Sequence, residues 1–495
     1  MRSLELVLTL VNLCALLAPL LPRSGLGTWT RFLSLLPLLA ALVQVLGEGP
    51  RWQMAPAYAL AAALALRGLA GLLLPATALP RPAAALLGIL ALLAFALSAA
   101  LPLVLPVFRF PKPSGPYAIG TTSYRWIDRQ RPELFTAEPG DHREILAQVW
   151  YPAAADARGK AAPYLEDAGA MAPALARVAR LPSFFFSHFK YLRTNALEAV
   201  PVAAEEASYP VLIYLTGQSG FRSASTFQIE ELVSRGYIVV GLDQPGAVAL
   251  VTLSDGRKVE ALPRELMYPL TVQSVEPLPK APTLLGRPLP GGIVPYFAED
   301  IPFVLDRLAD LDAADPRGIL TGRLDLARTG IFGISGGGID AAEAALKDRR
   351  LKACLIMDVF MSTDVVSRGL DIPALWITRD AATMRLEREK AGGWTEKDIE
   401  QHQRTMRQAY LGLRNRGYYL QIPGIFHLNF IDTPYWLPIS SQLGMTGPVD
   451  SRRMFALINA YSAAFFDRHL RGLPAPLLDG PSPLYPEVRF ESRQP

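Results

Sequence analysis

The segment IFGISGGG at residues 331–338 places four glycines around one serine, directly after an apolar run. A strand predicted at residues 329–334 leads into it, and a helix predicted at residues 339–346 follows. Only small residues fit where a strand and a helix nearly touch, which accounts for Gly333 and Gly337 on either side of Ser335. The segment therefore predicts a sharp strand–turn–helix with Ser335 at its apex, in a strained backbone conformation.

Phosphate-binding loops also contain clustered glycines, but they fit this segment poorly. A P-loop needs a lysine and then a serine or threonine after its last glycine, whereas Gly338 is followed by Ile339 and Asp340. The glycine spacing of a dinucleotide fingerprint is also absent. We therefore interpret Ser335 as a nucleophile in a G-x-S-x-G turn, and a tight turn with a passive serine is the alternative.

A serine hydroxyl is a weak nucleophile at neutral pH and needs a base that is oriented by an acid. In chains with this turn the order is serine, acid, histidine. His427 follows a strand predicted at residues 418–422 and is the predicted base. The other histidines precede Ser335 or lie in helices expected at the surface, and they are His142, His188, His402 and His469.

Two aspartates are candidates for the acid. Asp358 ends the strand predicted at residues 353–357, and Asp380 follows the next strand, predicted at residues 374–378. Topology slightly favours Asp380, because many proteins with this turn take the acid from that position, and the residues by themselves leave both open.

An oxyanion intermediate needs two backbone N–H donors. One is expected from Gly336, at the start of the helix, where the helix dipole also favours negative charge. The other is expected from Gln218 in YLTGQSGFR, residues 214–222, after the strand predicted at residues 211–215. An ordinary glycine-rich turn is the alternative for this second loop.

From residue 111 to residue 495, short β-branched and aromatic runs alternate with helical patterns, which indicates an α/β domain with a mostly parallel central sheet. The segment at residues 247–295 is rich in proline and glycine and is interpreted as an insertion with one hairpin. Polar and amphipathic helices are predicted at residues 394–416 and 453–470. Strands are predicted at residues 147–151, 211–215, 237–242, 329–334, 353–357, 374–378 and 418–422.

Residues 1–110 have a different composition, with few charges and four apolar runs at residues 4–21, 32–46, 56–74 and 83–108. A membrane-spanning helix needs about 20 apolar residues, which the second run does not reach. These residues predict an all-α transmembrane region of about four helices, and a signal peptide is the competing interpretation of the first run. Arginines lie on both sides in nearly equal number, so the side of the membrane is not determined.

Charge and cysteine content exclude few classes. The formal net charge is +4 over 495 residues, and no basic stripe with interleaved aromatics is present, so nucleic acid is not an expected partner. Cys14 lies in the first apolar run and Cys354 in a predicted buried strand, so no disulfide is expected between them.

Several motifs resemble the platelet-activating-factor acetylhydrolase family of α/β-hydrolases. The resemblance extends from about residue 115 to residue 467, and the motifs are GPYAIGTTSY at 115–124, VLIYLTGQSGFR at 211–222, SRGYIVVGLD at 234–243, GISGGG at 333–338, CLIMDVF at 354–360 and HLNFID at 427–432. It implies an α/β-hydrolase fold and a serine esterase without metal or cofactor, which cleaves short or oxidised acyl chains from phospholipids.

The resemblance also implies residue roles. It matches the nucleophile to Ser335, the acid to Asp358, the base to His427 and the oxyanion donors to Gln218 and Gly336. The chain differs from the family where it has Thr216-Gly217 instead of His-Gly, and where Gly336 replaces an aromatic residue. Backbone donors survive these changes, but the wall of the acyl pocket does not.

The predicted function is a serine ester hydrolase in the cell membrane, with an ester or phospholipid substrate and the lipid bilayer as its partners. One alternative is an esterase of the dienelactone-hydrolase or polyester-hydrolase type that acts on small non-lipid esters. The alternative from another class is a non-catalytic membrane protein on a hydrolase scaffold.

Overall fold

The computed structural model describes residues 1–18, 33–73 and 80–494. These residues form two compact units. The smaller unit comprises Met1–Arg109, Phe186–Leu192 and Tyr435–Ile439. The larger unit comprises Phe110–Phe185, Arg193–Pro434 and Ser440–Pro495.

The smaller unit contains four apolar helices within its described residues: α1 (Ser3–Leu17), α2 (Leu36–Glu48), α3 (Ala55–Leu73) and α4 (Arg81–Val104). Two helical stretches are long and apolar enough to cross a membrane, Trp52–Leu73 with 22 residues and Arg81–Val104 with 24. The other two helices have 15 and 13 residues. Length thus supports two of the roughly four predicted spans, and parts of the first three runs lie outside the described residues.

A buried ion pair ties this apolar unit together. The Arg51 side chain donates from Nε to Glu5 Oε1 over 2.6 Å and from Nη1 to the Leu105 carbonyl over 2.6 Å. Both charged side chains are fully buried. Because an unpaired charge is costly in an apolar environment, this pairing fixes the start of α1 against the residues that precede α3 and follow α4.

The larger unit is built on a sheet of eleven strands within the described residues. The strands are β1 (Ala118–Pro132), β2 (His142–Ala153), β3 (Ala161–Pro163), β4 (Arg193–Glu198), β5 (Tyr209–Leu215), β6 (Ile238–Asp243), β11 (Leu324–Ile334), β12 (Leu351–Met357), β13 (Ala374–Thr378), β14 (Gly417–Gln421) and β15 (Arg489–Arg493). Their order in the sheet is β15-β14-β13-β12-β11-β5-β6-β2-β1-β4-β3. The six central strands from β14 to β6 pair in parallel. The remaining pairs are antiparallel, except that β1 pairs with β4 in parallel.

The helices of this unit cover both faces of the sheet. They are α5 (Ala168–Val178), α6 (Thr226–Ser234), α7 (Arg264–Gln273), α8 (Val294–Ala298), α9 (Asp300–Ala314), α10 (Gly336–Lys347), α11 (Thr363–Arg368), α12 (Ala381–Ala391), α13 (Glu396–Gly412) and α15 (Ser451–Leu470). The short helix α14 (Thr433–Trp436) begins in the larger unit and has its last two residues in the smaller one. Strand β5 is buried along its whole length. Its residues Val211, Ile213 and Leu215 belong to the core cluster that includes α9 and α10, while Leu212 faces Phe466 of α15 across Gly330. Alternate side chains therefore enter two cores, which produces the continuous apolar runs in the sequence.

Every predicted strand corresponds to an observed one, and the prediction of an α/β fold with a mostly parallel sheet is confirmed. Four strands of this sheet were not predicted, namely β1, β3, β4 and β15. The second half of β1 is mostly exposed and rich in polar residues, and β15 is a mostly exposed edge strand. Strands exposed on one face lack the apolar run by which the central strands are found.

Two local predictions need correction. The insertion at residues 247–295 contains two strand pairs instead of one hairpin, β7 (Leu250–Thr252) with β8 (Lys258–Glu260) and β9 (Thr283–Leu284) with β10 (Arg287–Pro288). The predicted helix at residues 394–416 begins at Glu396, and Gly392 and Gly393 at φ 76° and 96° separate it from α12. Positive φ is accessible to glycine but interrupts a helix.

Candidate active site

Ser335 lies at the apex of the turn between β11 and α10. Its backbone has φ 54° and ψ −129°, a region that residues other than glycine rarely occupy. A Cβ at Gly333 would lie 2.2 Å from the Gly337 carbonyl oxygen, and a Cβ at Gly337 would lie 2.2 Å from the Leu215 carbonyl oxygen. The glycines therefore permit the close strand–helix approach that holds the serine in its strained conformation.

Gly337→Ala is expected to destabilise the larger unit by about 3 kcal/mol, because its Cβ meets backbone oxygens that cannot move aside like a flexible side chain. The midpoint of thermal unfolding of the purified full chain measures this effect. Gly140→Ala is the matched control, since nothing lies within 4 Å of its added Cβ. Equal midpoints for both variants would contradict the packing argument.

Asp358 and His427 meet at the same edge of the sheet as Ser335. Strands β11, β12, β13 and β14 are consecutive neighbours, and the three residues follow the ends of β11, β12 and β14. The Ser335 N–H donates to the Met357 carbonyl over 2.9 Å. His427 Nδ1 lies 2.6 Å from Asp358 Oδ2, and the aspartate side chain is fully buried while the histidine is 22% exposed. A buried carboxylate thus binds one imidazole nitrogen, which is the arrangement that a histidine base requires.

The surroundings of Asp358 favour its ionised form. Burial alone would raise the pKa of this carboxyl, but the charge of Arg379 and the hydrogen bond from His427 outweigh it and hold that pKa well below its usual range. Arg379 Nε donates to Oδ1 over 3.0 Å, and the Thr378 hydroxyl donates to the same oxygen over 3.1 Å. The residue itself has φ 47°, a second strained position at this edge.

Asp380, the alternative acid, has a different structural role. Its Oδ1 accepts the Thr383 N–H over 2.8 Å, which caps the N-terminus of α12, and its Oδ2 accepts Arg489 Nη1 over 2.6 Å. The structure therefore brings Asp358 to His427, while the carboxylate of Asp380 is bonded to α12 and β15.

The loop after β5 places Gln218 beside the turn. A Cβ at Gly336 would lie 3.3 Å from the Gln218 backbone nitrogen, and one at Gly217 would lie 3.0 Å from Ser335 Cβ. The Gln218 side chain is directed away, because its Nε2 donates to the Gly246 carbonyl over 3.2 Å. The backbone nitrogens of Gln218 and Gly336 are therefore neighbours next to the serine, as an oxyanion hole requires.

No family model matches this chain. The platelet-activating factor acetylhydrolase of Cavia porcellus is 24% identical over 279 residues, which are 53% of this chain and 58% of that protein. The solved structure of a ferulic acid esterase from Streptomyces cinnamoneus has 27% identity and a TM-score of 0.58, and it covers 78% of this chain and 99% of that chain.

The chain is an α/β-hydrolase-fold relative of these esterases. The resemblance to platelet-activating-factor acetylhydrolases that the motifs indicated is thereby confirmed. The match with the curated relative spans little more than half of that protein's length.

The sequence did not reveal four residues of the candidate site that surround the Asp358–His427 pair. They are Arg379, Glu387, Trp394 and His402, and all four lie on α12, α13 or the segments next to them. An arginine at the end of a strand is ordinarily exposed, so nothing in the sequence marks Arg379 as buried.

The expectation that His402 lies at the surface is wrong. The side chain is 1% exposed, and its Nε2 lies 3.9 Å from Asp358 Oδ1. Burial lowers the pKa of this imidazole to about 4, so it is neutral near pH 7. A signal existed, because His402 falls three residues after Ile399 and four before Met406, on the buried stripe of α13. His469 is likewise partly buried and lies 3.1 Å from the Tyr418 hydroxyl.

Within residues 1–18, 33–73 and 80–494, no group of three or more His, Cys, Asp or Glu side chains is arranged to hold a metal ion.

Proposed function

We propose that this chain is a serine ester hydrolase whose catalytic triad is Ser335, Asp358 and His427. The observation that carries the proposal is the 2.6 Å contact between His427 Nδ1 and Asp358 Oδ2 at the strand edge where Ser335 occupies a strained turn. Relatives named as an acetylhydrolase and an esterase support ester hydrolysis as the reaction.

In the proposed reaction, Ser335 Oγ attacks the ester carbonyl carbon while His427 Nε2 accepts the hydroxyl proton. The N–H groups of Gln218 and Gly336 donate to the oxyanion of the tetrahedral intermediate. His427 then protonates the alcohol, whose bond to the acyl carbon breaks, and the acyl group stays bonded to Ser335 Oγ. A water molecule attacks this acyl-enzyme, His427 accepts its proton, and the carboxylic acid leaves as the serine hydroxyl is restored.

For the substrate, we propose phospholipids with short or oxidised acyl chains. The similarity to platelet-activating factor acetylhydrolase supports this class, as does the apolar region at the N-terminus of the same chain. The expected result is that short-acyl phospholipids in mixed micelles are hydrolysed with a higher kcat/KM than p-nitrophenyl esters of the same acyl length.

Similarity to the ferulic acid esterase favours a second substrate class, small non-lipid esters, because nearly all of that structure aligns with this chain. Gly336 also lacks the side chain that would form part of the family's acyl pocket. If methyl ferulate is hydrolysed with a higher kcat/KM than the short-acyl phospholipids, the chain is a small-ester esterase and the phospholipid proposal is wrong.

We also propose that the chain is a multi-pass protein of the cell membrane. Eight large apolar side chains of α4 are between 50% and 61% exposed, and they are Leu86, Leu87, Ile89, Leu90, Leu92, Leu93, Leu97 and Leu103. Such a surface is unfavourable in water and is suited to contact with lipid tails. In this proposal, α3 and α4 span the bilayer. The sequence predicts roughly four spans, and experiment is needed to determine the number of spans.

The full chain is therefore expected to stay in the membrane pellet after an alkaline carbonate wash. Placing aspartate at both Leu90 and Leu93 should reduce the membrane-inserted amount, since each charge costs about 3 kcal/mol at the centre of a spanning helix. Leu473→Asp, at an exposed leucine of the larger unit, is the control. Release of the wild-type chain by alkali would refute membrane insertion, and protease treatment of intact cells and inverted vesicles assigns the side.

A further inference from the structure

Arg379 forms ion pairs with two buried carboxylates, that of Asp358 in the candidate triad and that of Glu387. The guanidinium is fully buried, and its Nε lies 2.9 Å from Asp358 Oδ2 and 3.0 Å from Oδ1. Its Nη1 forms an ion pair with Glu387, whose side chain is 7% exposed. The planar guanidinium offers donors in fixed directions, so one arginine can hold both carboxylates at once.

Glu387 connects this ion pair to the histidine. Its Oε1 accepts the backbone N–H of His427 over 3.1 Å, and its Oε2 accepts the indole N–H of Trp394 over 3.0 Å. The Trp394 and His427 rings are nearly perpendicular, with an interplanar angle of 74° and a centroid distance of 5.7 Å, and the Arg379 guanidinium lies 5.0 Å from the indole centroid. The acid and the backbone of the base are thus held by one connected set of contacts.

We propose that Arg379 and Glu387 are positioning residues of this hydrolase: they fix Asp358 and His427 relative to each other and set the pH range in which the pair is active. The proposal rests on the proposed function, because it assigns roles around the Ser335 triad. Neither residue is required to touch substrate.

Because Arg379 and Glu387 carry opposite charges, removing them is expected to shift the pH at which the Asp358–His427 pair is protonated in opposite directions. Arg379 contributes one positive charge and Glu387 one negative charge. Removing Arg379 leaves the Asp358–His427 pair in a more negative environment, so the pair is protonated at higher pH. Removing the charge of Glu387 makes the environment more positive, so protonation needs lower pH.

Other titratable groups that face the pair do not cancel this effect. His402 on α13 is neutral near pH 7, since burial lowers its pKa to about 4. The phenol of Tyr419 on β14 also stays neutral, because burial raises its pKa above the usual range. Arg379, which is paired with Asp358, and Glu387, which accepts the His427 N–H, are therefore the charged side chains that contact the pair within the described residues.

The test compares the pH dependence of kcat/KM of the full chain toward p-nitrophenyl acetate. In Arg379→Met the acidic limb is expected to move to higher pH by about one unit, and in Glu387→Gln to lower pH by about one unit. Misplacement of the pair is also expected to lower kcat by about 100-fold in Arg379→Met. Arg385→Met is the control: it lies on α12 like Glu387, removes an exposed ion pair with Glu396 of α13, and should leave both quantities unchanged.

A purely structural role would lower the amount of folded protein without moving the two limbs in opposite directions. Limbs that stay in place, or that move in the same direction, overturn the proposal. If Arg379→Met does not fold, Arg379→Lys replaces it, since lysine keeps the charge without the fork geometry. That variant is expected to lose kcat with an unmoved acidic limb, and an unchanged kcat would equally overturn the proposal.

The wild-type chain separates this inference from the proposed function. A fluorophosphonate probe should label wild-type Ser335 covalently. If it does not and no ester is hydrolysed, the proposed function itself fails. If the wild type is labelled and active but the variants show no opposite shifts, only the roles of Arg379 and Glu387 are refuted.

Discussion

Ser335→Ala is expected to lower kcat for p-nitrophenyl acetate by about 10⁴-fold or more and to abolish labelling by a fluorophosphonate probe. The reason is that the proposed acyl-enzyme forms only on the serine oxygen, while the oxyanion donors and substrate contacts that remain give a small residual rate. Initial rates of the purified full chain and gel detection of the labelled protein measure the two effects.

Ser367→Ala is the matched control for this prediction, because its hydroxyl is exposed on α11 and donates to the nearby Asp364 carbonyl. It should keep both hydrolysis and labelling. Labelling that persists in Ser335→Ala would move the nucleophile elsewhere. A wild-type chain with neither labelling nor hydrolysis would favour the non-catalytic scaffold, the alternative from another functional class.

Asp358→Asn is expected to lower kcat by about 10⁴-fold, with KM little changed. An asparagine keeps the shape of the side chain, but it can present its NH₂ group to His427 Nδ1 and so favour the wrong tautomer of the imidazole. It also removes the negative charge that stabilises the imidazolium. Steady-state kinetics of the full chain measure this loss.

Asp380→Asn separates the two candidate acids. Asparagine is about as good an N-cap as aspartate, so α12 keeps its cap and kcat is expected to change by less than about threefold. The thermal midpoint should also stay close to that of the wild type. A large loss of kcat in Asp380→Asn together with a mild effect in Asp358→Asn would reassign the acid.

The central sheet and the serine turn could be predicted because both depend on neighbours in sequence. Strands buried on both faces leave continuous apolar runs, and β13 has the predicted bounds Ala374–Thr378. The close contact between β11 and α10 requires glycine whatever the remaining chain does, so Gly333 and Gly337 mark the turn. The catalytic role of Ser335 itself stays a prediction until the variants are measured.

The sequence by itself thus determined the α/β-hydrolase fold, the local geometry at Ser335 and a short set of candidates for the acid and the base that act with this serine. Tertiary structure alone decided that His427 contacts Asp358, that Asp380 caps α12 and that Arg379 and His402 are buried beside the pair. The physical reason is that these contacts join strand ends and helices far apart in the chain. Charge compensation between such distant groups leaves no periodic pattern in the sequence.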